Sequence, residues 1–272
     1  MDKKTKTKKR DKLGRGQNAS AYTYAMLSFA GVMAFLIIWQ LLLAAGIVSD
    51  RYLAKPTELV VLFVQKFSDP APDGATLLVS IWASLRVSLT GLVLAIVIGV
   101  PLGLCMGWFK ALDRLVTPIF EIIRPIPPVS WIPLTILWMG IGLRAKAFII
   151  FFSAFIPCVI NSYTGVKLTN KTLINVARTS GASYVETFYK VAIPSALTMV
   201  FTGIRVAVGN AWSTLVAAEM LAASAGLGYM ILMGRMFARA DIIILGMLVI
   251  GAIGAFFNGI LSFVENHVIK WR

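Results

Sequence analysis

Apolar residues in this chain come in long, unbroken runs rather than in alternation. Six of these windows, near residues 22–48, 80–108, 115–140, 147–166, 195–221 and 241–266, approach the length of a bilayer crossing. A hydrocarbon core takes roughly 20 apolar residues per helical span and offers no partner to backbone polar groups. Continuous runs of this length therefore predict helices, and the pattern as a whole predicts an all-α membrane protein of six transmembrane helices. An even number of spans places both termini on the same side of the membrane.

Polar residues set the orientation. Residues 1–20 hold eight Lys and Arg before the first apolar window, and no small-residue cleavage pattern follows them, so they read as a basic cytoplasmic tail and not a secretory leader. With the N-terminus inside, sixteen basic residues fall on the cytoplasmic side and seven on the other, the tail supplying most of the bias. Both termini are thus expected in the cytoplasm, with residues 21–272 forming one transmembrane domain. The composition agrees: 58% hydrophobic, 14% charged, mean hydropathy +0.81. The net charge of +14 points to anionic lipid at the membrane surface, and no nucleic-acid partner is expected. Cys105 and Cys158 sit inside apolar runs and read as small buried hydrophobes, with no metal spacing and no disulfide.

Within the second window Gly91, Ala95, Gly99, Gly103 and Gly107 recur every fourth residue, which draws a ridge of small side chains along one helix face. Gly251, Ala255 and Gly259 repeat the spacing in the last window. Such ridges let helix backbones approach closely where lipid gives no hydrophobic push, and close packing is sufficient reason for both. The third window is interrupted: Arg124, Pro125, Pro127, Pro128 and Pro133 cannot lie in one regular helix, since each proline removes a hydrogen bond and clashes with the preceding turn. Irregular backbone at membrane depth belongs where protein buries it or a cavity hydrates it, so this segment is expected to line a path. The alternative is a kinked helix whose Arg124 reaches the headgroups. In the outer segment, Pro56 or Thr57 opens a predicted short amphipathic helix.

Between the fourth and fifth spans, residues 167–194 form the longest cytoplasmic loop. Ile174, Ala177, Gly181, Val185 and Phe188 recur at helical spacing, with a break near Gly181 and another before Pro194, and predict two short helices around a small-residue elbow.

These residues carry a family resemblance. Gly181, nine further residues and then Val191-Ala192-Ile193-Pro194 resemble the cytoplasmic loop signature of bacterial ABC importer permeases, which opens Glu-Ala-Ala; here the opening triplet is Asn175-Val176-Ala177. The stretches RPIPPVSWIPLTILWMGIG, GIRVAVGNAWSTLVAAEML and SAGLGYMI are similar to the branch that carries sulfonates, taurine and nitrate. The resemblance covers residues 80–264, the core of the expected permease domain, and implies a type I importer permease fold in the bacterial inner membrane with a coupling helix that docks on a separate ATPase. The implied coupling residues are Asn175, Ala177, Gly181, Ala182, Glu186 and Pro194, with Glu186 sharing the electrostatic role of the absent motif Glu. The implied partners are a second copy of the chain, two ATP-binding cassette subunits, an extracytoplasmic substrate-binding protein and membrane lipid. ATP and magnesium would bind the partner ATPase and no cofactor this chain, which contains no Gly-x-x-x-x-Gly-Lys-[Ser/Thr] phosphate cradle.

Ionisable groups inside spans are functional candidates by default. Arg205 and Glu219 lie 14 residues apart on one helix, about 21 Å along its axis, too far to pair. Arg205 reads either as a cation facing an anionic cargo or as a structural partner to another helix; Glu219, beside AGLG, reads as a structural or gating contact. Together with Arg124, Pro127, Trp138, Met139 and Trp212 they form the expected translocation pathway, the aromatics reading equally as packing or belt residues. A secondary transporter driven by an ion gradient, with Arg124, Arg205 and Glu219 as a charge relay, is the second reading. It lacks a visible inverted repeat. No clustered nucleophile, acid pair or metal set supports an enzyme, and no catalytic or metal residue is assigned.

Overall fold

The computed structural model describes residues 24, 26–47, 49, 52–222 and 224–268; the basic tail and the start of the first apolar window lie outside them. All regular structure among the described residues is helical. Five single helices are long and apolar enough to cross a bilayer, and a bent pair makes a sixth candidate span.

The first span, α1 (Met26–Ala44), lies at the periphery with only Leu43 buried. Next comes α2 (Pro56–Gln65), opened by Pro56 in its first turn as predicted. The segment after it is anchored by Lys66, which is buried, pairs with Asp73 and donates to the carbonyls of Ala71 at 2.9 Å and Ala75 at 2.8 Å. Those bonds satisfy all three ammonium hydrogens, the condition under which a lysine is tolerated out of water.

The core is a sandwich of three long helices. In the middle is α6 (Leu143–Lys167), with α3 (Leu77–Trp108) on one side and α9 (Ile193–Ala222) on the other. The predicted ridge on α3 is the first seam. A Cβ built on Gly91 would stand 2.8 Å from the Ile150 side chain, on Gly103 2.8 Å from Ser162 Cβ, and on Gly107 2.7 Å from Val166 Cβ. Each glycine therefore admits the α6 backbone where any side chain would exclude it. On the other seam Gly203 faces Asn161 and Gly165 faces Ala196, while the Ser153 and Thr214 hydroxyls meet at 2.8 Å. The second predicted ridge behaves differently: Gly251 and Gly259 have nothing within 4 Å of a built Cβ, so those two positions meet no close neighbour among the described residues.

The proline-rich window breaks as expected. It comprises α4 (Lys110–Ile123), a 3₁₀ turn (Pro128–Trp131) and α5 (Ile132–Met139), bent by 84° at the break. Pro128 opens the 3₁₀ turn and Pro133 falls in the first turn of α5, both positions where the missing N–H costs nothing.

Two predicted boundaries are corrected. The elbow's second helix is not separate: α8 (Tyr184–Thr187), a wide π turn (Phe188–Ala192) and α9 run on as one span, Tyr184–Leu221, straight through Pro194. The π turn just before Pro194 absorbs the lost hydrogen bond and the ring, so the proline need not end the helix. The stretch read as a loop before the last span, α11 (Ala240–Val268), contains a further short helix, α10 (Leu227–Met236), packed on α11 and α9.

Candidate functional site

One end of the bundle carries the elbow. From Lys167 the chain enters α7 (Lys171–Thr179), capped by Asn170, whose side chain accepts the Thr172 N–H at 2.8 Å. Gly181 then reverses the chain with φ +86°, a conformation L-residues avoid. Nothing in the described residues lies within 4 Å of a Cβ built there, so within this chain the requirement at Gly181 is conformational. Ser183 caps α8 reciprocally with Glu186: the hydroxyl accepts the Glu186 N–H at 3.2 Å and the carboxylate accepts the Ser183 N–H at 2.9 Å. The other carboxylate oxygen takes Lys190 at 3.3 Å. Glu186 is thus engaged in starting its own helix, while Asn175 stands exposed on α7.

The elbow is seated by a cluster of aromatic side chains. Tyr184 donates its hydroxyl to the Trp108 carbonyl at 2.8 Å, and its ring lies 5.0 Å from Trp108 and 5.9 Å from Phe109. Phe188 completes the cluster, 5.7 Å from Trp108 and 5.5 Å from Phe109. This cluster ties the α7–α8 turn to the α3–α4 junction. Leu173, Val176, Val185 and Tyr189 remain exposed on its outer side. The WF pair at the end of the α3 run was the one available sequence signal.

The seven residues expected to line a pathway do not form one site. Trp138 and Met139 border a cavity of about 650 Å³ between α3, α5 and α6, shared with Thr90, Arg144, Phe148 and Phe151. Arg124 borders a separate space of about 270 Å³ beside Phe120 and Tyr163, 3.8 Å from Glu121. Pro127 precedes the 3₁₀ turn. Arg205 is held by α11, 2.5 Å from Glu265 and 3.2 Å from Ser262, a structural partnership of the kind that was one of its two readings. Trp212 is buried and donates its indole N–H to the Ile250 carbonyl at 2.9 Å.

Glu219 is fully buried at the end opposite the elbow and builds a latch. The Ser84 hydroxyl on α3 lies 2.8 and 2.9 Å from its two oxygens, and the Gly228 N–H donates to it at 2.9 Å. Ser84 in turn accepts the Leu227 N–H at 2.8 Å. The first turn of α10, whose own N-cap is a glycine, is capped by side chains from two other helices. This explains the AGLG spacing: a Cβ on Gly226 would stand 2.5 Å from the Glu219 Cδ, and one on Gly228 2.8 Å from its Cβ. Lys146 on α6, also buried, supplies an attracting positive charge.

The described residues thus form a bundle of membrane-spanning length with a broken span, an elbow at one end and a largely apolar cavity, the architecture of a multi-pass membrane protein. Residues 91–271 match the family described as binding-protein-dependent transport system inner membrane component, and the chain belongs to that family. It is 37% identical over 237 residues to a putative ABC transporter permease protein of Methanocaldococcus jannaschii, covering 87% of this chain and 88% of that one. It is 30% identical over 250 residues to the taurine transport system permease protein TauC of Escherichia coli, covering 90% of each. A solved structure of the MetNI methionine ABC transporter in inward-facing conformations superposes with a TM-score of 0.53 at 20% identity, over 70% of this chain and 93% of that one, and shares the fold. The chain is therefore an inner-membrane permease subunit of an ABC importer, a transport component and not the ATP-hydrolysing one.

Proposed function

We propose that this permease passes a small anion of the sulfonate, taurine or nitrate kind. In this reading it works as a homodimer with two ATPase subunits and an extracytoplasmic binding protein, binds no nucleotide or metal itself, and has its elbow end and both termini in the cytoplasm. The observation that carries the proposal is the elbow: α7 presents exposed Leu173 and Val176 while α8 continues without interruption into α9. A rigid span that begins inside a docking surface converts movement of that surface into helix tilt. Asn175, Ala177, Gly181 and Ala182 then belong to the docked face, Pro194 to the stiff entry into the membrane, and Glu186 to the cap that keeps α8 helical. The sulfonate branch is supported by the likeness to the taurine permease and by the motifs of the first section.

Gly181→Glu tests the coupling. It places a charged L-residue at φ +86° on an exposed turn with no neighbour to displace. Expected results are normal membrane insertion, loss of the ATPase on co-purification and loss of ATP-dependent uptake. Wild-type assembly and uptake would sink the docking claim.

A further inference from the structure

Two arginines carry an inference about the cargo. The cavity between α3, α5 and α6 has Leu94, Trp138, Phe148 and Phe151 as apolar walls, with Thr90 and Arg144 as polar members and no carboxylate among its lining residues. Arg144 is poorly placed for stability alone. It occupies the first turn of α6, where the helix dipole presents its positive end, and it makes no hydrogen bond or ion pair among the described residues. Arg86, exposed and equally unpaired, stands one turn from Thr90, whose hydroxyl donates to the Arg86 carbonyl at 2.6 Å. Arg86 lies on the same face of α3 as the lining residues Thr90 and Leu94, one turn beyond the lining. Unpaired cations above apolar and aromatic walls suit an anionic head on a small carbon body.

We infer that this cavity is a subsite for a small organic anion of the sulfonate or carboxylate class, with Arg144 binding the anionic head and Arg86 drawing it to the rim. The inference rests on the importer reading above. An anionic lipid headgroup offers the same chemistry, and the experiment separates the two sources.

Methanesulfonate is titrated into the permease–ATPase complex in phosphatidylcholine nanodiscs, and tryptophan emission is compared with that of Trp138→Phe. The expected result is a saturable change that Trp138→Phe removes. Arg144→Gln weakens it by about tenfold or more and Arg144→Lys by less, as for loss of a charge-assisted hydrogen bond. Phosphatidylglycerol in the disc leaves the affinity unchanged. Absence of a saturable signal, equal affinity in wild type and Arg144→Gln, or suppression of the signal by phosphatidylglycerol each overturns the subsite, the last by assigning the charges to lipid. ATP hydrolysis by the same complexes, stimulated by the loaded binding protein, checks the importer reading separately. Stimulated hydrolysis alongside unchanged binding in Arg144→Gln sinks the subsite alone, whereas no stimulation in wild type sinks the importer reading.

Discussion

Gly103→Leu is expected to prevent formation of the folded bundle. A Cβ at this position would stand 2.8 Å from Ser162 Cβ and closer still to the carbonyl oxygen of Val159, so the obstacle is α6 backbone that no rotamer change relieves. Overpacking a tight core costs about 1–3 kcal/mol when side chains give way, and more when backbone must. The whole α3–α6 seam would open, because Gly91, Gly99 and Gly107 share the ridge and cannot keep their approach if one point is wedged apart. Thermal unfolding in detergent checks this: Gly103→Leu should give little folded material or a large drop in midpoint. Gly259→Leu, at a position with nothing within 4 Å, should unfold like wild type.

The second large effect is expected at Glu219. Replacing it with alanine deprives the Gly228 N–H and the Ser84 hydroxyl of their acceptor inside a buried site. Each buried polar group left unmade costs about 1–3 kcal/mol, so the first turn of α10 should lose roughly 3 kcal/mol of local stability. Hydrogen exchange of the α10 amides should accelerate by about a hundredfold, the factor corresponding to that energy. Glu219→Gln retains one acceptor oxygen and should fall between the two. Ser84→Ala combined with Glu219→Ala should cost less than the sum of the single changes, since both act through one network. Unchanged α10 exchange in Glu219→Ala would remove the latch from the account.

The parts of this fold that were legible in the sequence are those encoded by spacing along one helix. Gly91 through Gly107 announces a close helix approach because its four-residue period and small side chains are the cause of that approach. Gly181 marks the elbow because only a residue without Cβ enters that turn at no cost. What spacing alone does not carry is the partner. Ser84 reads as one small residue in an oily run, and nothing local says that it faces Glu219, 135 residues later. Nothing local to Arg205 says that Glu265, 60 residues later on the last helix, stands beside it. The ten residues of α10 are too few to cross a bilayer and lie between two spans, so their apolar character read as a loop. Pro194 misled for the opposite reason. The rule that proline stops a helix is local, and the π turn at Phe188–Ala192 that circumvents it leaves no mark in composition. Gly251 and Gly259 repeat the spacing of the α3 ridge without its packing, which shows that a small-residue stripe permits approach without specifying what approaches.

The central claim is that this chain is a path whose movement is driven from the elbow by ATP hydrolysis in another subunit. Uptake into proteoliposomes tests it most directly, with the permease, its cognate ATPase and its loaded binding protein, and with ATP supplied on the elbow side. Accumulation that requires ATP and the ATPase together, and that Gly181→Glu abolishes, is the predicted result. Accumulation driven by an ion gradient without the ATPase would contradict it.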